Sequence, residues 1–152
     1  MNLLEIISPE AFRYPLKATT KRAAIEELVD MLGDIGRVRD VNALKEAVWQ
    51  REQTKTTGIG LGLAIPHGKC QGINSISMAI GKPASPMEFD AIDGKPVRMI
   101  VLLASPPDKQ SDHIQALARI SRLMYDTEFR EQMYNATSAQ EMYELVRGKE
   151  KP

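Results

Sequence analysis

An unbroken apolar run at residues 99–104, Met-Ile-Val-Leu-Leu-Ala, most constrains the fold of this chain. A strand with one solvated face would alternate apolar and polar residues, so this run predicts a strand that is buried on both faces. The run ends before Pro106 and Pro107, which have no backbone N–H for a sheet ladder. We therefore expect the strand to lie inside a sheet with cover on both sides.

Further strands are predicted before this run. Residues 14–18 could form a short edge strand, where Pro15 would be tolerated. Apolar residues alternate with other residues in two more segments, and residues 92–96 are typical of a turn. The alternating positions are Leu61, Leu63 and Ile65 in the first segment and Ile76, Met78 and Ile80 in the second.

Helical spacing is found on both sides of the strand region. One helix is predicted from Thr20 to Gly33 and another from Asp40 to about residues 51–52. After the strands, a helix is expected to begin at Ser111 or Asp112, a shorter one to cover residues 129–134, and a last one to begin with a capping box at residues 138–141 and to end near residue 148. The third helix is expected to bury Ile114, Leu117, Ala118 and Met124.

This order of elements predicts an α/β fold, a mixed β-sheet flanked by helices, as a single domain over residues 1–152. Twenty basic and twenty acidic side chains cancel, so charge gives no reason to expect a nucleic acid or an anionic membrane as partner. The chain has one cysteine, no signal-peptide pattern and no apolar run near the roughly 20 residues that span a bilayer. We expect a cytoplasmic protein that does not insert into a membrane.

Residues 56–69 carry the densest functional signal. Gly58, Gly60 and Gly62 alternate, a short apolar segment follows, and Pro66 precedes His67, one of two histidines in the chain. We expect a glycine-lined hollow with the His67 imidazole at the end of a strand, although the glycines could equally form only a tight turn. The pattern is neither a P-loop nor a dinucleotide-binding fingerprint.

The second histidine, His113, is predicted in the first turn of a helix that follows the buried strand. Ligand sites in α/β folds gather at the carboxyl ends of strands, so the two rings could share a cleft. Arg51 could bind a phosphate or carboxylate, although a solvated arginine or a surface histidine is the plainer interpretation of each residue by itself. The chain lacks a companion cysteine pair for zinc and a Gly-x-Ser-x-Gly elbow, and we expect neither a metal nor a cofactor.

Several segments together resemble a known family, the fructose/mannitol/nitrogen-regulatory type of IIA domain in the bacterial phosphoenolpyruvate-dependent phosphotransferase system. The resemblance extends from about residue 3 to residue 147. The segments, in chain order, are Arg51-Glu52, Thr56-Thr57-Gly58-Ile59-Gly60, Ala64-Ile65-Pro66-His67-Gly68, residues 89–97 and residues 113–118.

The resemblance implies a mixed sheet flanked by helices and a phosphocarrier function. His67 would accept a phosphoryl group from the phosphocarrier HPr, or from its nitrogen-branch homologue. His113 would lie beside His67, and Arg51 and Thr57 would bind the phosphate. The resemblance also suggests Nε2 of His67 as the acceptor atom, with Nδ1 held by a hydrogen bond. Leu61 departs from some sugar-specific members, which carry an acidic residue near the phosphorylated histidine, and this puts a mannitol-type site in doubt.

Two functions remain open on this fold. In the first, the phosphoryl group passes to a IIB partner in sugar uptake. In the second, phosphorylation of His67 controls the binding of regulatory protein partners, as in nitrogen-regulatory members. No IIB domain or membrane segment follows in the sequence, which leans slightly toward the regulatory function, although separate sugar-specific IIA chains also exist. A member that has lost phosphoryl transfer is a third alternative, and the presence of Arg51, His67 and His113 together argues against it.

Overall fold

The computed structural model describes residues 1–150 and contains one mixed sheet; the predicted domain limit at residue 152 lies outside the described residues. The strand order is β1-β5-β6-β3-β2, with β4 also paired to β6. β5 runs antiparallel to β6, whereas β3 and β4 run parallel to it. The strands are β1 (Phe12–Leu16), β2 (Gly58–Gly60), β3 (Leu63–Ala64), β4 (His67–Lys69), β5 (Ser77–Pro83) and β6 (Met99–Ser105).

The apolar run forms β6 at the centre of the sheet, and all of its residues are buried, as predicted. Within residues 1–150, five α-helices surround the sheet. α1 and α2 pack on each other, α1 also contacts β5 and β6, and α3 contacts β6. The helices are α1 (Lys21–Asp34), α2 (Val41–Thr54), α3 (Gln110–Tyr125), α4 (Thr127–Asn135) and α5 (Ala139–Glu150). The predicted mixed sheet flanked by helices is thus confirmed.

The predicted beginnings of the first two helices are also confirmed, because the expected side chains cap them. The Thr20 hydroxyl accepts a hydrogen bond from the Ala23 N–H, and the Asp40 carboxylate accepts one from the Ala43 N–H at 3.0 Å. α2 continues to Thr54, beyond the predicted end, and stops where Lys55 becomes extended. Its last turn therefore carries Arg51.

The predicted buried face of the third helix is wrong at two of its four positions, whereas Met124 is buried and Leu117 packs partly buried against the core. α3 begins at Gln110 without a side-chain cap, so neither Ser111 nor Asp112 is the N-cap. Ile114 is 57% exposed and Ala118 is also exposed, whereas His113, Ala116, Ile120, Leu123 and Met124 are buried. A polar residue takes one place in the buried stripe, and a search for apolar spacing alone shifts the stripe to the wrong side.

The last two helices extend beyond their predicted limits. α4 begins at Thr127, and the Asp126 carboxylate caps it. Before α5, the Ser138 hydroxyl accepts from the Glu141 N–H and the Glu141 carboxylate accepts from the Thr137 N–H. The predicted capping box is therefore present, except that the Glu141 side chain bonds to the N–H of Thr137 instead of that of Ser138. The helix continues past Gly148 to Glu150.

The alternate glycines form a tight hairpin rather than a hollow. β2 pairs antiparallel with β3, and Leu61 and Gly62 connect them with φ angles of 61° and 80°. Leu61 is therefore a turn residue and not part of a strand, contrary to the alternation of apolar residues. The turn needs glycine at 62 because a Cβ there would also lie 3.2 Å from the Tyr134 ring.

Ile65 and Pro66 lie in a short interruption between β3, which ends at Ala64, and β4, which begins at His67. Leu63 pairs with Met99 and His67 pairs with Leu103, so β3 and β4 follow β6 in a single parallel register. The Pro66 carbonyl accepts from the Leu103 N–H at 3.0 Å, which keeps the two strands together although proline has no N–H of its own. His67 is thus the first residue of β4 and lies at the beginning of a strand.

The edge position of the first strand is confirmed, although β1 lies two residues earlier than predicted. β5 begins at Ser77, and all seven of its residues are buried, so its alternation does not mark a solvated face. The predicted turn after residue 91 is present, with the Gly94 N–H bonded to the Ala91 carbonyl and a positive φ at Gly94.

Candidate functional site

A cavity of about 560 Å³ opens where α2, β4 and the beginning of α3 meet. It brings together Arg51, His67 and His113, three of the four predicted site residues. The lining residues are Ala47, Gln50, Arg51, Thr54, His67, Gly68, Lys69, His113 and Leu117. The glycine hairpin is not among them.

A close contact between helix and strand places Arg51 beside His67. A Cβ on Gly68 would lie 2.9 Å from Val48 Cγ2 and 3.0 Å from the Val48 backbone nitrogen, so only glycine lets β4 approach α2 this closely. Arg51 lies three residues after Val48, on the same side of the helix. Gly68 adjoins His67 in the strand, so this contact helps to set the spacing between the guanidinium and the imidazole.

The hydrogen bond of the His67 ring determines which of its nitrogens can react. Nδ1 lies 2.8 Å from the Ile65 carbonyl oxygen. A carbonyl oxygen can only accept, so Nδ1 must carry the proton. In the neutral ring, Nε2 then holds the free lone pair, and His67 is half-buried in the wall of the cavity.

The His113 ring is held by a partner that the sequence analysis missed. Its Nδ1 lies 2.6 Å from the hydroxyl of Ser105, a fully buried residue at the end of β6. The two imidazoles form an edge-to-face pair with centroids 5.2 Å apart and planes at 66°. Ser105 directly follows the apolar run. A polar side chain at the end of a strand predicted to be buried could have identified it as a partner for a site residue.

Both imidazoles favour the neutral form. Burial lowers the pKa of His67, and the charges of Arg51 and Lys69 lower it further, against the raising effects of the Ile65 hydrogen bond and of Glu52. Burial, together with His67 and Lys69, lowers the pKa of His113 to about 4. The neutral form of His113 thus follows from burial and neighbouring positive charge.

Two cations make the cavity basic. One guanidinium N–H of Arg51 donates to the carbonyl of Lys55 at 2.8 Å. Lys55 directly follows α2, so this bond orients the Arg51 side chain at the end of its own helix. Lys69 also lines the cavity and lies two residues after His67, on the same face of β4. The sequence analysis did not identify Lys69, although period-two spacing from His67 was the signal. A negatively charged group beside His67 would be stabilised here.

The fourth predicted residue, Thr57, does not line this cavity. Thr57 is buried, and both its hydroxyl and its N–H donate to the carboxylate of Glu52, at 2.5 and 2.8 Å. Glu52 is itself 3% exposed and forms an ion pair with Lys21 at 2.9 Å. The predicted phosphate contact of Thr57 stays a prediction.

Leu61 does not line the cavity of His67, although the resemblance placed this position near the phosphorylated histidine. Its carbonyl accepts from the Tyr134 hydroxyl at 2.7 Å, and its N–H donates to Asp93 at 3.3 Å. Residue 61 therefore belongs to the hairpin turn in this structure, because the two left-handed residues reverse the chain there.

Fold and cavity together define an α/β protein with a neutral histidine pair in a basic cleft. Residues 5–149 match the family model described as "Phosphoenolpyruvate-dependent sugar phosphotransferase system, EIIA 2". The chain belongs to this family of phosphotransferase-system components, which confirms the resemblance predicted from the sequence.

Curated relatives come from two branches of the family. The chain is 35% identical over 143 residues to a "PTS system fructose-specific EIIA component" of Haloferax volcanii, covering 94% of this chain and 90% of the relative. It is 33% identical over 146 residues to a "Nitrogen regulatory protein" of Bradyrhizobium diazoefficiens, covering 96% and 95%. It spans only 23% of the length of a fructose-specific EIIABC component of Bacillus subtilis, at 29% identity.

Solved structures share the fold. The nitrogen regulatory protein IIA-Ntr of Neisseria meningitidis superposes with a TM-score of 0.80 and 27% identity, covering 93% of this chain and 97% of that one. Enzyme IIA for mannitol, in a complex with phosphorylated enzyme IIB from Escherichia coli, has a TM-score of 0.79 at 22% identity, covering 94% and 99%. Within residues 1–150, the helices are too short or too polar to span a membrane.

Proposed function

We propose that this chain is a phosphocarrier that accepts a phosphoryl group on Nε2 of His67 and passes it to a protein partner. The observation that carries the proposal is the hydrogen bond from His67 Nδ1 to the Ile65 carbonyl. It leaves a lone pair on Nε2, in a cavity with two cations beside it. The donor would be HPr or its nitrogen-branch homologue, and the chain would act in the cytoplasm, as predicted from the sequence.

The transfer needs no proton movement at His67. The Nε2 lone pair attacks phosphorus, the Nε2–P bond forms, and the bond from phosphorus to the donor breaks with its electron pair remaining on the donor. Nδ1 keeps its proton throughout, so the phosphorylated ring carries a positive charge. When the phosphoryl group passes to the recipient, the electron pair of the Nε2–P bond returns to Nε2 and the ring is neutral again.

The neighbouring side chains supply positioning and charge stabilisation, which are the main requirements of phosphoryl transfer. Arg51 and Lys69 would neutralise the phosphoryl oxygens. With Nδ1 of His113 bound to Ser105, Nε2 of His113 is the ring nitrogen left to donate to the phosphoryl group. The phosphate contact proposed for Thr57 would require its hydroxyl or its N–H to leave Glu52, to which both donate.

The two recipients proposed from the sequence share this chemistry. A IIB domain is one candidate, and the enzyme IIA for mannitol with the same fold is in a complex with such a partner. A regulated protein is the other, and similarity over 95% of a nitrogen regulatory protein favours it equally. Both functions require the phosphorylation of His67 and differ only in which protein reads or receives the group.

Intact-mass spectrometry tests the proposal directly. The chain is incubated with phosphoenolpyruvate, enzyme I and HPr, and the wild type is compared with the His67→Ala variant. We expect one acid-labile phosphoryl adduct on the wild type and none on the variant. The proposal fails if the wild type stays unlabelled by both HPr and the nitrogen-branch donor while a control IIA protein is labelled.

A second experiment separates the two recipients. The labelled chain is mixed with a fructose-type IIB protein, and the loss of the adduct is followed over time. Transfer within seconds supports the uptake function. Retention of the adduct, together with phosphorylation-dependent capture of a regulatory protein, supports the regulatory function.

A further inference from the structure

The carboxylate of Glu52 is buried beside the histidine site without lining its cavity. Its side chain is 1% exposed and receives three donors: the Thr57 N–H, the Thr57 hydroxyl and the Lys21 ammonium. A group surrounded by donors acts as an acceptor with its negative charge intact. Burying a charge costs free energy even when it is paired, so the placement of Glu52 calls for a reason.

A continuous chain of hydrogen bonds links this carboxylate to the reactive ring. The Thr57 N–H donates to Glu52 at 2.8 Å, the Ile65 N–H donates to the Thr57 carbonyl at 3.0 Å, and His67 Nδ1 donates to the Ile65 carbonyl at 2.8 Å. Every donor in the chain points toward the carboxylate. The N–H and the carbonyl of Thr57, and likewise those of Ile65, belong to different peptide groups, so these bonds fix the position of the Ile65 carbonyl and do not polarise it.

We propose that Glu52 is a positioning residue for His67, acting through Thr57 and Ile65 to hold the proton on Nδ1 and to stabilise the charged, phosphorylated ring. The inference rests on the proposed phosphocarrier function for its second part only. The first part, the choice of ring tautomer, concerns the free protein.

Glu52 would act on the His67 ring in two ways. A carbonyl that is held in place by these bonds keeps its alignment with Nδ1–H, much as an outer hydrogen-bond partner fixes the orientation and tautomer of a metal-binding histidine. When Nε2 is phosphorylated the ring becomes cationic, and the negative charge of Glu52 then stabilises the product. Arg51 and Lys69 bind the phosphoryl oxygens but repel the positive charge of the phosphorylated ring. The negative charge of Glu52 offsets this repulsion.

This chain of bonds also gives Thr57 a different role from the predicted phosphate ligand. Its hydroxyl donates to Glu52 at 2.5 Å and is therefore turned toward the carboxylate. The Thr57 side chain ties the carboxylate to the segment that carries the Thr57 carbonyl, and Lys21 holds the other side of the same carboxylate.

The test is Glu52→Gln, which keeps the shape and removes the charge. Ring ¹⁵N NMR of the free protein at pH 7.5 should show the Nδ1–H form of His67 in the wild type and a mixture of both tautomers in the variant. The pKa of His67 should fall, because the carboxylate raises it in the wild type. Phosphorylation by HPr should slow about tenfold, the lower end of the effect of losing a partner behind a functional histidine.

Glu150→Gln is the matched control. Glu150 also has a 1% exposed side chain, also accepts from a backbone N–H (that of Leu3) and also pairs with a cation, Arg119. It belongs to α5 and does not line the histidine cavity. This variant should lose stability in the same way while leaving the His67 tautomer and the phosphorylation rate as in the wild type.

Thr57→Val gives a second variant in case Glu52→Gln does not fold. It removes only the hydroxyl bond, and it should shift the tautomer in the same direction by a smaller amount. If Thr57 bound phosphate instead, the rate would fall with no tautomer change in the free protein, which would overturn this role of Thr57.

The outcomes separate the two proposals. If the wild type is phosphorylated and Glu52→Gln retains both its tautomer and its rate, the positioning role is wrong and the phosphocarrier function stands. If the wild type is never phosphorylated but Glu52→Gln changes the tautomer, the positioning of the ring stands and the phosphocarrier function fails.

Discussion

Gly68→Ala tests whether the contact between β4 and α2 builds the site. The added Cβ would lie 2.9 Å from Val48 Cγ2, 3.0 Å from the Val48 nitrogen and 3.2 Å from its Cα, where ordinary contacts begin at 3.4 Å. Two of these atoms belong to the backbone, so no rotation of a side chain can relieve them. The helix must move away from the strand by about half an ångström, which amounts to overpacking at a cost of about 1–3 kcal/mol.

The same shift should weaken phosphoryl acceptance, because α2 carries Arg51 one turn beyond Val48. A misplacement of 1 Å can cost about 100-fold in rate, so half of that distance should cost on the order of tenfold. Urea unfolding measures the stability, and the rate of labelling of His67 by HPr measures the second effect. Both measurements are made well below the midpoint of thermal unfolding.

Gly148→Ala is the control for a glycine-to-alanine change. A Cβ there would meet nothing within 4 Å, and Gly148 lies in the interior of α5. This variant should be more stable by about 0.5–1 kcal/mol, with unchanged labelling. The reasoning is refuted if Gly68→Ala matches the wild type in both measurements, or if it loses stability with no change in rate.

Three further outcomes follow from the structure. Burial lowers the pKa of His113 from 6.5 to about 4, so between these pH values the unfolded chain holds a proton that the folded chain does not. The free energy of unfolding should therefore fall as the pH drops from 6.5 to 4, by at most about 3 kcal/mol before solvent screening. His113→Gln should flatten this slope in urea titrations. Ser105→Ala strands the buried Nδ1 of that ring and should cost about 1–3 kcal/mol by thermal unfolding, whereas equal stability would show that the hydroxyl bond is unimportant. Residue 62 has a positive φ, and in Gly62→Ala the added Cβ would lie 3.2 Å from Tyr134. Calorimetry should therefore show a larger loss of stability than for Gly36→Ala, where φ is 81° and the space is open. Equal losses would mean that the Tyr134 ring moves aside.

Local patterns in the sequence were enough for the central strand, the helices and the family. The apolar run predicted β6 because only a doubly covered strand dispenses with polar alternation. Thr20 and Asp40 predicted helix starts because a cap is a bond between residues three apart, which the sequence alone can specify. The resemblance of several segments to the IIA family pointed to both histidines and to the arginine, and all three line the cavity.

The tertiary structure decided what depends on contacts between distant segments. The buried face of α3 was wrong in the sequence analysis because His113 lies on it, and only its bond to Ser105 makes a polar residue acceptable there. The place of Leu61 in a turn depends on two left-handed residues, whose conformation Tyr134 and Asp93 help to hold from elsewhere in the chain.

The sequence by itself therefore determined which residues are available for chemistry, and the fold decided what each of them does. Thr57 stands in the motif as a hydroxyl beside a glycine turn, but in the structure that hydroxyl is bonded to a buried carboxylate. The reactive nitrogen of His67 follows from the position of the Ile65 carbonyl, and its pKa from burial and four neighbouring interactions. The physical reason is that hydrogen-bond direction and desolvation depend on three-dimensional surroundings, whereas capping, alternation and glycine turns depend on neighbours in the chain.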